Sequence, residues 1–194
     1  MSTSLRWTSA DLDVLPDDGK RYEIIDGELS VSRQPHWHHQ AVSGQIFAVL
    51  QEWSLHTGAG GASLAPGVIF AEDDDVVPDV VWVSTARLAS SLDAAGHLRA
   101  APELVVEVLS PGWTNERRDR EAKLKLYSRR GVDEYWIVDW RARGIAVYRR
   151  AGEALQHTIT LTDDSVLESP LLPGFSVPLA RLFAGIPAAD VGQS

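Results

Sequence analysis

The feature that most constrains the fold is a stretch in which a charged segment lies between two apolar runs. Residues 104–109 read LVVEVL, a β-favouring run with one carboxylate, and residues 135–138 form the second apolar run. An unbroken run of this kind is typical of a central strand covered on both faces. The stretch therefore predicts a buried strand, a charged helix and a second buried strand, with Glu107 pointing into the protein.

A buried carboxylate needs a partner, and the charged helix is the element that can supply it. An uncompensated carboxylate taken out of water costs several kcal/mol. The helical pattern runs from Thr114, a candidate N-cap, to about Arg130, and Gly131 supplies the C-terminal stop.

At 100° per residue, one face of this helix should be packed against the strands. Its members are Asp119, Ala122, Lys123, Leu126, Tyr127 and Arg130. Lys123 is therefore the lysine expected to meet Glu107. Lys125 shares the opposite face with Glu121, an i,i+4 pair typical of a solvated surface.

A second acid interrupts another apolar run. Residues 76–83 read VVPDVVWV, and Pro78 favours an edge position or a bulge because it cannot donate a backbone hydrogen bond. If the two runs are neighbouring strands, Asp79 and Glu107 form a costly pair of acids unless a cation lies between them.

Composition limits the class of protein. With 194 residues, of which 44% are apolar, we expect one domain over residues 1–184 and a loose C-terminal tail over residues 185–194. The absence of Cys and of a long apolar segment excludes disulfides, thiolate metal sites and a membrane partner. The N-terminal residues lack the apolar region of a signal peptide, so the expected location is the cytoplasm.

Charge is unevenly distributed along the chain. The formal net charge is −9, yet residues 117–150 hold eleven Lys and Arg against five Asp and Glu, a local charge of +6. This local excess is compatible with a phosphate-bearing substrate but does not require one, because Arg-rich helix faces are usually just solvated.

The N-terminal half contains a predicted hairpin and a long helix. Arg21 to Ile25 and Glu28 to Val31 should pair across an Asp-Gly turn, with Glu23 facing either the site or the solvent. The segment QPHWHHQ should lead into a helix whose apolar face begins at His39. Residues 62–70 are expected to form one strand and residues 9–15 a short helix.

Two metal hypotheses have little support. His36, His38 and His39 lie close together, but without Cys or HExxH spacing they lack a zinc ligand set, and His39 is better explained by packing or capping. The acidic residues 72–75 lack the spaced ligands and the glycine of a calcium loop, so a solvated turn is expected there.

The combination of two inward acids and a helical lysine suits one reaction. Hydrolysis of phosphodiester bonds uses hard oxygen ligands that hold Mg²⁺ or Mn²⁺. A fixed lysine can orient the attacking water or offset the charge that grows on phosphorus. Asp79, Glu107 and Lys123 would fill these roles.

Several segments together resemble one protein family. In order they are PDVVWV, APELVVEVLSP, the spacing D-x-x-x-K-x-x-x-Y and GVDEYWIVD, flanked by RYEIIDGEL, HHQAV and SPLLPGFSVPLARLF. The chain thereby resembles the Uma-two family of endonucleases, in the PD-(D/E)XK, restriction-endonuclease-like superfamily. The resemblance covers nearly the whole chain, and the joint order of the segments is what makes it specific.

The resemblance implies an α/β fold, namely a restriction-endonuclease-like mixed β-sheet core flanked by helices, with extra N-terminal and C-terminal β-hairpins. It implies that Asp79 and Glu107 bind Mg²⁺ (or Mn²⁺). The family's usual lysine, two positions after the second acid, is replaced by Leu109. The resemblance implies that this lysine is relocated to the helix. The packed face of the helix independently selects Lys123. Glu23 and His39 match the family's early Glu and His and are accessory catalytic candidates.

The resemblance also sets expectations for partners. The substrate would be nucleic acid, in the first place DNA, and many proteins with this fold act as dimers, so a homodimer stays open. The competing hypothesis is a non-catalytic module that keeps the nuclease fold and holds nucleic acid or an assembly partner. A small-molecule enzyme has little support, since no nucleophile elbow is present.

Overall fold

The structure is a computed structural model that describes residues 6–32 and 34–187. Within them the strands are β1 (Arg21–Ile25), β2 (Glu28–Ser32), β3 (Gly60–Leu64), β4 (Val68–Ala71), β5 (Asp74–Val76), β6 (Val80–Ser84), β7 (Leu104–Val108), β8 (Glu134–Asp139), β9 (Gly144–Ala151), β10 (Ala154–Leu161), β11 (Val166–Glu168) and β12 (Ser176–Pro178).

The helices of the same residues are α1 (Ser9–Leu12), α2 (Trp37–Thr57), α3 (Thr85–Ser91), α4 (Trp113–Arg117), a π-helical segment (Arg118–Lys123), α5 (Leu124–Arg130) and α6 (Leu179–Leu182). We call the continuous helical residues 113–130 the charged helix. No helix of the described residues is both long and apolar enough to cross a membrane.

A six-stranded mixed sheet forms the centre of the fold, in the order β10-β9-β8-β7-β6-β3. Strands β7 and β8 are parallel, and the charged helix supplies the crossover that such a pair requires. A second sheet has the order β2-β1-β5-β4, and β11 pairs with β12. The expected α/β fold with a mixed sheet, flanking helices and added hairpins is therefore confirmed.

The two faces of the large sheet are covered by different elements. Val106 and Val108 of β7 pack with α2 and the C-terminal segment. Val105 of the same strand packs on the opposite face, with the charged helix and the small sheet. Because side chains alternate along a strand, Glu107 also points toward the charged helix, as the sequence indicates.

Two predicted strands are each divided in the structure. Residues 62–70 contribute to β3 in the large sheet and to β4 in the small sheet. The chain changes sheets at Ala65, whose φ of 46° is left-handed, and at Pro66 and Gly67 that follow it. Residues 76–83 are likewise divided around Pro78 between β5 and β6, so Pro78 marks a passage between sheets.

Other differences lie at element ends. Helix α1 stops at Leu12 instead of Leu15, and the charged helix begins at Trp113, one residue before the predicted cap. Gly131 ends the charged helix in the left-handed conformation, as expected. Of the predicted tail over residues 185–194, Ile186 packs against the core, and residues 188–194 lie outside the described part.

Candidate active site

The site lies where β6 begins beside the end of β7. Val80 of β6 pairs with Val106 of β7 in antiparallel register. Asp79 comes directly before β6, and its Oδ2 accepts a hydrogen bond from the backbone N–H of Val108 at 2.9 Å. The two acids that the sequence singles out therefore lie side by side, on neighbouring strands.

Asp79 is bound through both carboxylate oxygens. Oδ1 lies 2.9 Å from Nη1 of Arg21, and Oδ2 lies 3.0 Å from Nε2 of His39. Burial raises the pKa of Asp79, but the hydrogen bond from His39 and the charges of His39 and Arg21 outweigh it and hold the pKa well below its ordinary range. Asp79 is therefore ionised at neutral pH.

Glu107 is bound through one oxygen. Its Oε1 accepts hydrogen bonds from Nζ of Lys123 at 2.9 Å and from the hydroxyl of Tyr127 at 2.6 Å. Both donors come from the packed face of the charged helix, where the sequence places them. Oε2 is left as the oxygen that can meet a cation.

Lys123 is a buried cation shared by several acids. Its Nζ lies 3.0 Å from Oε1 of Glu23, in addition to its contact with Glu107, and 4.0 Å from Oδ1 of Asp119. Burial lowers the pKa of Lys123, but the charges of Glu107, Glu23 and Asp119 outweigh it and raise the pKa. Lys123 therefore carries its positive charge throughout the neutral range. Lys125 is exposed, as expected.

Glu23 faces the protein interior, which settles the alternative left open by the sequence. Its Oε1 also accepts a hydrogen bond from the backbone N–H of Val77 at 3.0 Å. Its buried Oε2 has no hydrogen-bond partner among the described residues, and Nη1 of Arg118 lies 3.8 Å away. The role that this geometry gives Glu23 is to hold Lys123 in place beside Glu107.

His39 joins helix α2 to the acids. Its Nε2 contacts Asp79, whereas its buried Nδ1 has no hydrogen-bond partner within the described residues. His36 and His38 stack on Trp140, with ring centroids 5.7 and 4.5 Å from the indole. His39 therefore reaches Asp79 separately from this stacked pair.

Four further residues of the site have no clear sequence pattern or only a partial one. Asp119 and Tyr127 lie on the packed face of Lys123, and that face is the signal by which they can be found. Arg118 donates to the hydroxyls of Ser30 and Ser32 at 3.1 and 2.9 Å, an arrangement that no local pattern indicates. Arg21 is equally hidden, because it reads as the first residue of a hairpin.

A cleft of about 550 Å³ opens onto this cluster. Its lining includes Asp79, Glu107, Asp119, His39, Arg21 and Arg118. Lys123 and Glu23 lie behind this wall. The cleft therefore presents acids flanked by arginines, which is a suitable surface for a cation and a phosphate together.

Carboxyl groups outnumber positively charged side chains in the cluster. The buried acids are Glu23, Asp79, Glu107 and Asp119. The positively charged residues that contact them are Arg21, Arg118 and Lys123. When His39 is left aside, the acids therefore outnumber the cations by one. The surplus acid is reflected in the pKa values of Glu107 and Asp119. Burial and the neighbouring acids outweigh the charge of Lys123 and raise the pKa of Glu107 to about 8. The pKa of Asp119 is raised as well.

These residues fit a divalent cation by charge and by ligand chemistry. Carboxylate oxygens are the ligands that Mg²⁺ and Mn²⁺ prefer, and Mg²⁺ is often held by one or two carboxylates together with water and substrate phosphate. No three His, Asp or Glu side chains within residues 6–32 and 34–187 are arranged as a ready-made metal cage. The fit is therefore to a site that two acids share with water and a substrate.

Among the acidic residues 72–75, Asp74 departs from the expected solvated turn. Asp74 is fully buried, and its Oδ2 lies 2.8 Å from Arg129 and 2.9 Å from Nε of Arg130. The expectation of a solvated turn is wrong for this residue, because the C-terminal end of the charged helix covers it.

Comparisons with known proteins identify the family and the fold. The family model Uma2, described as "Putative restriction endonuclease", matches residues 9–180. A crystal structure of a "putative nuclease belonging to DUF820" from Anabaena variabilis superposes with a TM-score of 0.73 at 20% identity, covering 91% of this chain and 97% of that one. At this identity the likeness establishes a shared fold. A comparison with curated proteins finds no match. Because the family model spans most of the sequence, the chain belongs to the Uma2 family of restriction-endonuclease-like proteins.

Proposed function

We propose that the protein is a divalent-metal-dependent endonuclease that hydrolyses phosphodiester bonds of DNA, with Asp79 and Glu107 as the ligands of Mg²⁺ or Mn²⁺. The observation that carries this proposal is that Asp79 and Glu107 line one cleft together, with Arg21 and Arg118 beside them. Family membership and the nuclease-like fold support the same reaction class. When bound, the metal would polarise the scissile phosphate and lower the pKa of a water molecule.

Lys123 acts in this proposal as a fixed positive charge. Its raised pKa rules out a role as a general base near pH 7, because the amine stays protonated. Its hydrogen bond to Oε1 of Glu107 holds that carboxyl group at the wall of the cleft. Its charge also offsets the negative charge that grows on the phosphate during attack.

His39 and Glu23 act by positioning other groups. His39 and the backbone N–H of Val108 bind Oδ2 of Asp79, which fixes the carboxylate and leaves Oδ1 as its ligand atom. Glu23 holds Lys123 from the side opposite Glu107. We expect substitutions at these two positions to lower activity less than loss of either metal ligand.

Cleavage of DNA by ligand variants tests the proposal. We expect Asp79→Asn and Glu107→Gln each to lower the rate of cutting by at least about 10²-fold in Mg²⁺ or Mn²⁺, because each removes one charged ligand. Glu121→Gln, an exposed acid on the far face of the charged helix, is the matched control and should cut at the wild-type rate. Circular dichroism confirms the folding of each variant.

An undiminished rate in either ligand variant would contradict the proposal. The second candidate function is a non-catalytic nucleic-acid-binding or assembly module. It is favoured by the fact that both oxygens of Asp79 already have partners within the protein. Isothermal titration of Mn²⁺ into the wild type and Glu107→Gln tests whether the acids bind the metal. DNA binding that does not depend on metal, without cleavage, would support the module.

A further inference from the structure

One arginine holds the oxygen of Asp79 that a metal would need. Oδ2 of Asp79 accepts from the backbone N–H of Val108 and contacts His39. Oδ1 is therefore the oxygen that can bind a metal without breaking those contacts. Nη1 of Arg21 lies 2.9 Å from this Oδ1 and 3.1 Å from the carbonyl oxygen of Val77.

The guanidinium of Arg21 lies where the acids converge. Its Nη1 forms the ion pair with Asp79, and Glu107 lines the same cleft. The side chain of Arg21 also lines the cleft and is 26% exposed, so it can turn toward a bound molecule.

We propose that Arg21 takes the place of the metal at Asp79 while the cleft is empty, and that it moves to a phosphate of the DNA when substrate enters. Metal binding and DNA binding would then strengthen each other. This inference rests on the proposed function and deepens it, because it names a residue that couples substrate to cofactor.

Electrostatics requires such a movement if a metal binds. A guanidinium and a divalent cation on the same carboxylate oxygen repel each other strongly in a buried site. A phosphate offers the displaced guanidinium two oxygens in the geometry that arginine prefers. DNA would therefore release Oδ1 for the metal, and the metal would release Arg21 for the DNA.

The neighbouring residue provides a matched control. Lys20 also lines the cleft, but its partner is the carboxylate of Asp18, and it does not contact Asp79. Lys20→Gln and Arg21→Gln therefore each remove one positive charge from the same wall. Only Arg21→Gln frees Oδ1 of Asp79.

Isothermal titration of Mn²⁺, with and without a non-cleavable phosphorothioate duplex, tests the inference. Without DNA we expect Arg21→Gln to bind Mn²⁺ about tenfold more tightly than wild type, within the usual range of coupling between two sites. Lys20→Gln should change this affinity by less than about threefold, as expected for a solvent-screened charge. The gain in Mn²⁺ affinity caused by DNA should be clearly smaller in Arg21→Gln than in wild type.

The outcomes are distinguishable. If the wild type binds Mn²⁺ and Arg21→Gln binds it with equal or lower affinity, the inference is overturned and the proposed function stays intact. Wild type that binds no Mn²⁺, with or without DNA, would overturn the proposed function and this inference with it. If Arg21→Gln does not fold, a wild-type affinity for Mn²⁺ that is unchanged by DNA overturns the inference, and a rise of about tenfold supports it.

Discussion

Glu107 is stabilised in its protonated form, and this has a consequence for stability. Its pKa of about 8 lies above the ordinary value of 4.5. The folded protein therefore binds this proton more tightly than the unfolded chain does. The associated stabilisation is fully present below pH 4.5 and is lost as the pH rises through 8, with a slope of at most about 1.4 kcal/mol per pH unit.

We expect Glu107→Gln to be more stable than the wild type at pH 8.5, with the difference shrinking toward pH 5. Glutamine has the shape of the protonated acid and cannot ionise, so the variant avoids the buried charge. Urea unfolding of both proteins across pH 5 to pH 8.5, without metal, measures the difference. Asp79 does not interfere with this measurement. Because its pKa is lowered, its contribution to the stability of the protein is lost only at pH values below 3.8, the ordinary pKa of the group.

A variant that is less stable than wild type at pH 8.5 would contradict this expectation. It would mean that the ion pair with Lys123 stabilises the fold by more than the excess of acids destabilises it. Addition of Mn²⁺ provides a second check. If Glu107 is a ligand, the metal should stabilise the wild type more than the variant.

The turn between β4 and β5 is joined to the charged helix by a buried acid. Oδ1 of Asp74 accepts a hydrogen bond from the backbone N–H of Asp26 at 2.8 Å, and Oδ2 accepts hydrogen bonds from Arg129 and Arg130. We expect Asp74→Ala to lower the free energy of unfolding by about 3 kcal/mol, the low end for a broken buried ion pair, since both arginines can reach solvent.

Asp73→Ala is the control, because the preceding acid is 42% exposed, its contact with Arg6 lies at the surface, and its contact with Arg130 is a long one of 3.8 Å. Its effect should be within about 0.5 kcal/mol. Chemical denaturation of the two variants measures both values. Equal effects would mean that the turn is held by backbone pairing alone and that Asp74 does not anchor the charged helix.

The charged helix could be predicted because its pattern is local. The packed face of Lys123 and Tyr127 follows from a spacing of four residues, and the π-helical segment before Lys123 does not move them off that face. The divided strands could not be predicted, because a β-favouring run does not reveal which sheet it joins. Their breaks depend on backbone conformation at Ala65 and Pro78.

The arginines of the site could not be predicted for a related reason. Arg21 reaches Asp79 across 58 positions of the sequence, and Arg118 reaches Ser30 across 88. Arg21 meets Asp79 where the small sheet adjoins the start of β6, and Arg118 meets Ser30 where the charged helix packs on the small sheet. A pattern along the chain can find acids embedded in apolar strands, but the cation that meets each acid is set by the tertiary fold.

Over the whole molecule, the cleft is a place where cations stand beside acids on a chain whose net charge is negative. The net charge is −9, so most of the surface should repel a polyanion. The cations that line the cleft are Lys20, Arg21 and Arg118. DNA binding through the cleft should therefore involve few phosphate contacts, on the order of three.

Salt dependence measures that number directly. Each phosphate neutralised on duplex DNA contributes about −0.9 to the slope of log K against log salt, so three contacts give a slope near −3. Fluorescence anisotropy of a labelled duplex in EDTA, at several salt concentrations, should return this value for wild type. Lys20→Gln should reduce the steepness by about 1. A wild-type slope steeper than about −6 would mean that DNA is held mainly by another surface, because the cleft has too few cations to account for it.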